Sequence, residues 1–130
     1  MSSAILILDD DTSIRESMAA YLEDEGFHAM VVESGEEAVS LLDLKRVDAA
    51  IVDLRLPGMN GEAFIRSVYD RFPNMVFVIY TGSPEYRPTA DIVRLPRVAD
   101  TVFLKPIEDL GLLVAELRRL IAERGDEVIC

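Results

Sequence analysis

The chain has 130 residues, enough for one domain with its own hydrophobic core, and half of them are hydrophobic, which excludes a disordered chain. Its 24 Asp and Glu outnumber 13 Lys and Arg, and the net charge of −11 makes nucleic acid an unexpected partner because like charges repel. No apolar run approaches the ~20 residues that cross a bilayer, so we also expect no membrane span.

Five short apolar runs predict β-strands, and amphipathic segments separate them. The fifth run is weaker than the others, and together they cover residues 4–8, 27–32, 49–53, 75–80 and 101–104. Three of the runs are almost continuously apolar, as in strands that are covered on both faces. The alternation of strands and helices predicts an α/β domain with a doubly wound parallel sheet, right-handed crossovers and helices on both faces.

The segments between the strands carry apolar residues at helical spacing. The second helix opens with the capping box Ser34-Gly35-Glu36-Glu37. The first, third and last helices each present one apolar face, made by Ile14, Met18, Tyr21 and Leu22, by Phe64, Ile65, Val68 and Phe72, and by Ile107, Leu110, Val114, Leu117 and Ile121.

The fourth helix is expected within residues 83–100, but prolines interrupt this stretch. Pro84, Pro88 and Pro96 lie in it, and proline breaks a helix interior. We therefore predict a short or irregular fourth helix that begins near Pro88 and ends before Pro96.

Polar residues follow four of the predicted strands, where each strand ends. The first strand ends at Asp9-Asp10-Asp11, the third at Asp53, the fourth at Thr81-Gly82-Ser83 and the fifth at Lys105. Each alone has an ordinary explanation as a turn residue, a cap or a surface lysine. Since ligands bind beyond the carboxyl ends of parallel strands, their joint placement predicts a single site at one edge of the sheet.

The chemistry of that site follows from its side chains. Carboxylates are the oxygen ligands that Mg²⁺ prefers, and a carboxylate beside a metal can attack a phosphoryl group. A lysine and a hydroxyl can then bind the phosphoryl oxygens. The single histidine, His28, falls in the second strand, where we expect it to pack, so a histidine-based triad or metal site is excluded. The sequence has no phosphate-binding glycine loop of the Walker or GxGxxG type.

At this point the sequence resembles the response-regulator receiver domains (CheY-like) of two-component signalling. The likeness covers nearly the whole chain through "ILILDDD", "IVDLRLPGMNG" and "LKP". It implies a flavodoxin-like sheet of five strands in the order 2-1-3-4-5. The receiver domain is expected over residues 1–125, followed by a C-terminal tail at 126–130.

The resemblance also assigns roles to individual residues. It makes Asp53 the phosphoacceptor and Asp10 a direct ligand of Mg²⁺, with Asp9 supporting the metal through water. The backbone carbonyl of Arg55 is the third protein ligand. Asp53 thus belongs to the metal site as well as being the nucleophile.

Two further residues would bind the phosphoryl group, and these are Thr81 and Lys105. The resemblance implies that the Lys105–Pro106 peptide bond is cis, which would aim the ammonium into the site. Asp11 is then the N-terminal cap of the first helix.

One position departs from the family. Receivers usually carry Tyr or Phe three residues before the lysine as a switch, and here that position is Val102. The nearest aromatic, Phe103, has the opposite strand parity. We therefore expect the output surface to lie around residues 83–100 and to work without the aromatic switch. Four residues in this stretch would give it a locally basic face, namely Tyr86, Arg87, Arg94 and Arg97.

By this resemblance the protein takes a phosphoryl group from a histidine kinase or phosphotransfer protein onto Asp53, in a reaction that needs Mg²⁺. It then signals to an unknown downstream protein by a conformational change, and it is not a turnover enzyme. The resemblance leaves a homodimer open. The N-terminus lacks the basic region of a signal peptide, and the single cysteine, Cys130, suits a reducing compartment, so we expect a cytoplasmic protein.

Two alternatives remain at this stage. Asp9-Asp10-Asp11-Thr12-Ser13 loosely matches haloacid-dehalogenase-like phosphatases, with Asp9 as the nucleophile. That family needs a later acidic pair at a strand end, whereas Glu108 and Asp109 fall in the first turn of the last predicted helix. The other alternative is a receiver-like binding module that phosphorylation does not regulate, which would fit Val102 and the irregular fourth helix.

Overall fold

The computed structural model describes residues 3–56, 58–83, 85, 87–105, 107 and 109–129, with side chains described as far as Arg124. Strands and helices alternate along the chain. The elements are β1 (Ala4–Leu8), α1 (Thr12–Asp24), β2 (His28–Val32), α2 (Gly35–Leu42), β3 (Ala49–Asp53), α3 (Gly61–Val68), β4 (Val76–Thr81), α4 (Ala90–Val93), β5 (Val98–Leu104) and α5 (Leu110–Ile129).

The five strands form one parallel sheet in the order β2-β1-β3-β4-β5. This confirms the predicted doubly wound, flavodoxin-like α/β fold. Among the helices in the part of the chain that the structure describes, none is long and apolar enough to span a membrane.

The core lies on both faces of the sheet, because successive strand residues point to opposite sides. On one face, Ile7, Val78 and Tyr80 pack with α1 and α5. On the other, Val52 and Ile79 pack with α2, α3 and the short α4. The three central strands β1, β3 and β4 are therefore buried on both sides, which explains their nearly continuous apolar sequences.

Side-chain caps fix where the helices begin, and so they fix the ends of the loops that carry the site. The Asp11 carboxylate accepts the N–H of Ile14 at 3.2 Å, and the Ser34 hydroxyl accepts that of Glu37 at 3.1 Å. Both caps were predicted. Such a cap is worth ~1 kcal/mol of helix stability, so it places the first turn of each helix firmly.

Several element boundaries differ from the sequence prediction. β5 begins at Val98 rather than at 101, because Val98 and Ala99 are buried against the sheet. α5 begins at Leu110 rather than at 107, and the Asp109 carboxylate accepts the N–H of Gly111 at 2.9 Å. Asp109 therefore precedes the first turn, and Glu108 lies outside the described residues. Phe72, predicted on the third helix, lies beyond the end of α3.

The predicted short fourth helix is confirmed as a single turn over Ala90–Val93, between Pro88 and Pro96. Ile92 is its one buried residue, since the other three are half-buried or exposed. On the neighbouring helix, Arg66 of α3 lies 2.5 Å from the carboxylate of Asp91. The helix is thus held by one buried apolar side chain and by exposed polar contacts.

The basic face expected in this region is contradicted at one of its four residues, Arg97. The Arg97 guanidinium turns inward, lies over the ring of Tyr69 at 3.8 Å and donates to the carbonyls of Tyr69, Phe72 and Met75. It therefore ties β5 to the loop after α3 and is not available to a partner. Arg87 and Arg94 are exposed, and Tyr86 lies outside the described residues.

Candidate functional site

The carboxyl ends of β1, β3, β4 and β5 meet at one edge of the sheet, and the predicted site residues meet there with them. The Lys105 ammonium lies 2.7 Å from Asp9 Oδ2 and 2.8 Å from Asp53 Oδ2. Both carboxylates are buried, and 14% of the Lys105 side chain is exposed. The lysine that directly follows the last strand therefore bridges the carboxylate that follows the first strand and the one that ends the third.

A cluster of three carboxylates at this edge has the geometry of a cation site. One oxygen each from Asp9, Asp10 and Asp53 lie within 4.8 Å of one another. Asp9 and Asp53 are buried, whereas Asp10 is exposed and so faces the approach from solvent. Carboxylate oxygens from separate residues suit Mg²⁺. This ion keeps several waters when it binds, and the exposed side of the cluster at Asp10 is accessible to water.

Asp53 is held at the end of β3 by contacts to both of its oxygens. Oδ1 accepts the backbone N–H of Arg55 at 3.1 Å, and Oδ2 accepts the Lys105 ammonium. Burial nevertheless raises the pKa of Asp53, outweighing the lowering effect of Lys105 and of the Arg55 N–H, while the nearby Asp9 carboxylate raises it further. Burial opposes the charge of Lys105 too, but the two carboxylates raise the pKa of the ammonium.

Asp9 is surrounded by donors. Its Oδ1 accepts the backbone N–H of Asp11 at 2.8 Å, while Oδ2 contacts both Lys105 and the hydroxyl of Tyr80. In addition, Arg15 of α1 donates to the Asp9 carbonyl at 2.7 Å. Asp9 therefore has a fixed orientation within the described structure.

The sequence prediction missed Tyr80. This residue is fully buried at the end of β4, its hydroxyl donates to Asp9, and its ring centroid lies 4.7 Å from the Lys105 ammonium. Burial and the donation to Asp9 raise its pKa, so it stays a neutral donor. No local pattern marks this role, because Tyr80 directly precedes Thr81 on the same strand and so points to the opposite face of the sheet.

Thr81 is buried at the last position of β4. Its hydroxyl oxygen accepts the N–H of Ser83 at 3.2 Å, and its carbonyl accepts the N–H of Lys105 at 2.8 Å. Thr81, at the end of β4, therefore lies beside Lys105, the residue that directly follows β5. Pro106 lies outside the described residues, so the cis Lys105–Pro106 bond stays a prediction.

Val102 and Phe103 lie on opposite faces of the sheet, as their parity predicted. Val102 pairs with Ile79 of β4 and packs on the α3 and α4 side, whereas Phe103 packs on the α1 and α5 side. Phe103 therefore does not fill the position of the missing aromatic.

A close backbone approach shapes the loop after β3. A Cβ added to Gly61 would collide with the backbone carbonyl of Asp53 and lie 2.9 Å from the Cα of Leu54. The Gly61 N–H donates to the Leu54 carbonyl at 3.1 Å. Only glycine permits this contact, which brings the start of α3 directly against the end of β3.

His28 lies in β2, the strand at one edge of the sheet, and takes no part in this site. The expectation that it packs is wrong, because 62% of its side chain is exposed. Its Nδ1 lies 3.9 Å from Oε1 of Glu23. An edge strand leaves its outward residues in solvent, which is why the apolar surroundings in the sequence misled the prediction.

Comparison with known proteins gives a consistent result. A model of the response regulator receiver domain matches residues 5–118. The chain is 32% identical over 120 residues to a cyclic di-GMP phosphodiesterase of Thermotoga maritima, covering 92% of this chain and 31% of that protein. It is 34% identical over 128 residues to the DNA-binding response regulator MtrA of Mycobacterium tuberculosis, covering 98% and 54% respectively.

A solved structure matches nearly the whole chain. The receiver domain protein (CheY-like) from Methanospirillum hungatei JF-1 matches with a TM-score of 0.84 and 26% identity, over 98% of this chain and 99% of that one. The two curated relatives are longer, so the chain spans about a third of one and about half of the other. Since the family model matches nearly the whole chain, we conclude that it belongs to the response regulator receiver domains.

Proposed function

We propose that Asp53 is the phosphoacceptor of this receiver domain and that the reaction requires Mg²⁺. The contacts of Asp53 carry the proposal most directly. One oxygen is paired with Lys105, the other accepts the N–H of Arg55, and oxygens of Asp9 and Asp10 lie within 4.8 Å. A nucleophile beside a metal-binding cluster and an ammonium is the arrangement that phosphoryl transfer needs.

In the proposed step a carboxylate oxygen of Asp53 attacks the phosphorus of a phosphohistidine on a histidine kinase or phosphotransfer protein. The P–N bond breaks as the new P–O bond forms, and the imidazole nitrogen keeps the electron pair and takes a proton from water. The product is an aspartyl phosphate.

The residues around Asp53 would balance the charge that arrives. The Lys105 ammonium is already beside the nucleophile, so a small movement would pair it with a phosphoryl oxygen. The Thr81 hydroxyl oxygen accepts the N–H of Ser83, which leaves its own proton to donate to the phosphoryl group. Bound Mg²⁺, held by Asp10, Asp53, the Arg55 carbonyl and, through water, Asp9, would offset the remaining negative charge.

The partners of the domain follow from this role only by class. We propose a histidine kinase or phosphotransfer protein upstream and a protein that senses the altered surface around residues 83–100 downstream. One relative is named as a phosphodiesterase and another as DNA-binding, but the match covers only a part of each. We therefore propose that this domain is not itself a turnover enzyme and does not contact nucleic acid.

Two features expected from the sequence stay predictions. The cytoplasmic location rests on the use of cysteine. The domain boundary at 125 rests on the resemblance, and the backbone of α5 continues to Ile129.

The experiment is phosphorylation with acetyl phosphate, followed by intact mass measurement with Mg²⁺ and after its removal by EDTA. We expect one phosphoryl group with Mg²⁺, none without it, and none on Asp53→Asn, which lacks the nucleophile. The matched control is Asp43→Asn at the end of α2, a surface position where labelling should be unchanged.

The alternatives predict different results. Labelling that survives in Asp53→Asn and is lost in Asp9→Asn would indicate the phosphatase mechanism and overturn the assignment. The absence of any label, from acetyl phosphate or from a kinase, would favour the binding module.

A further inference from the structure

Tyr80 contacts both members of the central ion pair. Its hydroxyl donates to the Asp9 carboxylate, and its ring lies against the Lys105 ammonium, 4.7 Å from centroid to nitrogen. The side chain is fully buried, and it pairs across the sheet with Asp53 of β3. A phenylalanine would fill the same apolar space, so packing alone does not require the hydroxyl.

The donors to Asp9 differ in what they must do during the reaction. The N–H of Asp11 holds Oδ1 and belongs to the backbone, so it stays in place. On Oδ2 the donors are Lys105 and Tyr80. Lys105 has a second task, because the proposed reaction moves it toward the phosphoryl oxygens. Tyr80 is then the donor that remains on Oδ2 in the described structure.

We propose that Tyr80 is a positioning residue, whose hydroxyl keeps the Asp9 carboxylate in the orientation that supports Mg²⁺ whether or not Lys105 is beside it. The inference rests on the proposed function, because it takes the Asp9, Asp10 and Asp53 cluster as the metal site. Hydrogen-bond partners behind a metal-binding group orient it, and their loss typically lowers metal affinity by about 10–100-fold.

The first test is Tyr80→Phe, which removes the hydroxyl and keeps the ring beside Lys105. We expect the Kd for Mg²⁺, measured by calorimetric titration without any phosphodonor, to rise roughly tenfold. A variant that merely loosened the fold would show a fall in melting temperature larger than the loss of one tyrosine hydroxyl explains, which the control variant measures.

The matched control is Tyr69→Phe. The Tyr69 hydroxyl is also bonded, accepting the N–H of Arg97 at 3.1 Å, but it lies on the other face of the sheet. Removal of this hydroxyl should leave the affinity for Mg²⁺ unchanged. The melting temperature of Tyr69→Phe shows what the loss of one tyrosine hydroxyl costs in stability. A Kd for Mg²⁺ in Tyr80→Phe within about twofold of the unaltered protein would overturn the inference.

A second measurement keeps the test valid if Tyr80→Phe does not fold. The chain has four tyrosines and no tryptophan, so replacing Tyr21, Tyr69 and Tyr86 by Phe leaves Tyr80 as the single ultraviolet reporter. Mg²⁺ should alter the fluorescence of Tyr80, because the cation would lie near the Asp9 carboxylate that accepts the hydrogen bond of the Tyr80 hydroxyl. An unchanged signal while Mg²⁺ binds would contradict the proposal.

Neither measurement uses phosphorylation. If the affinity for Mg²⁺ depended on the Tyr80 hydroxyl but the protein were never phosphorylated, the proposed function would be refuted and this inference would stand.

Discussion

Two ion-pair clusters in this domain have similar distances and different surroundings. At the site, Lys105 lies 2.7 and 2.8 Å from two buried carboxylates. Between α3 and α4, Arg66 lies 2.5 Å from Asp91, where 49% and 63% of the two side chains are exposed. Short distances alone therefore say little about strength, since solvent screens the second pair and leaves the first almost unscreened.

The difference suits what each region would do. The buried cluster fixes the proposed nucleophile and the oxygens proposed to bind the metal, and Tyr80 and the N–H groups of Arg55 and Asp11 support it. The short α4 has one buried residue, Ile92, and Thr89, the residue that precedes the helix, is held by side chains of α3. A segment with few buried contacts opens at low free energy, which agrees with the prediction of an output surface at 83–100.

The largest effect should come from breaking the buried cluster with Lys105→Met. This change keeps the length of the side chain and leaves two buried carboxylates without their cation. We expect the free energy of unfolding without metal to fall by about 3–5 kcal/mol. Mg²⁺ should restore part of this loss, because it supplies positive charge to the same carboxylates. Denaturant titration with and without Mg²⁺ measures both effects.

The pH dependence of this variant has a defined sign. Lys105 lowers the pKa of Asp53 against the larger effect of burial, so its removal raises that pKa further. Protonation then relieves the buried charge, and the difference from the unaltered protein should shrink as pH falls. Lys45→Met, at an exposed position, should change stability by less than about 0.5 kcal/mol. An equally small effect of Lys105→Met would remove the distinction between the two clusters.

A second prediction concerns Arg97. Of the three arginines that the structure describes within residues 83–100, it is the one whose guanidinium turns inward. Arg97→Met keeps the side-chain stem over Tyr69 but removes the donors to three backbone carbonyls. We expect stability to fall by about 2 kcal/mol, since these are hydrogen bonds from a charged group.

The exposed Arg94 supplies the control for this change, because Arg94→Met removes the same charge from the surface of the same region. We expect it to be close to neutral in a thermal melt. If Arg94→Met and Arg97→Met had equal effects, Arg97 would be a surface residue in solution, as the sequence first suggested.

These cases also show what the sequence could and could not predict. The meeting of the site residues at one edge of the sheet was predictable. Asp53 ends an apolar strand, Asp9 and Lys105 each directly follow one, and the end of each strand can be read from the length of its apolar run. The caps at Asp11 and Ser34 were predictable because a cap acts within three residues.

The remaining features depend on contacts between distant segments. The hydroxyl of Tyr80 reaches Asp9 across 71 positions of the chain, and Arg97 reaches carbonyls more than 20 positions away. No local pattern distinguishes these side chains from an ordinary strand aromatic or a surface arginine. The burial that gives them their roles exists only once the sheet has its register.

The smallest expected effect is that of Asp91→Asn in the exposed cluster. The Arg66 guanidinium, followed by the Thr89 hydroxyl, holds the pKa of Asp91 well below its ordinary value of 3.8. A lowered pKa means that the charged form stabilises the fold above the ordinary value, and that this contribution is lost as pH falls through the lowered one. We therefore expect the variant to melt at a slightly lower temperature than the unaltered protein at pH 7. This difference should stay constant down to about pH 5 and become smaller only below pH 3.8.

The more informative measurement on this variant is amide hydrogen exchange, because it separates local opening from global unfolding. Asp91→Asn should speed exchange in residues 89–95, where α3 side chains hold α4, and leave the strands β1 and β3 unchanged. Asp70→Asn, at an exposed position after α3, should change neither segment. If exchange rose equally in the central strands, the exposed pair would be coupled to the buried cluster, and the contrast between a firm site and a loosely held α4 would fail.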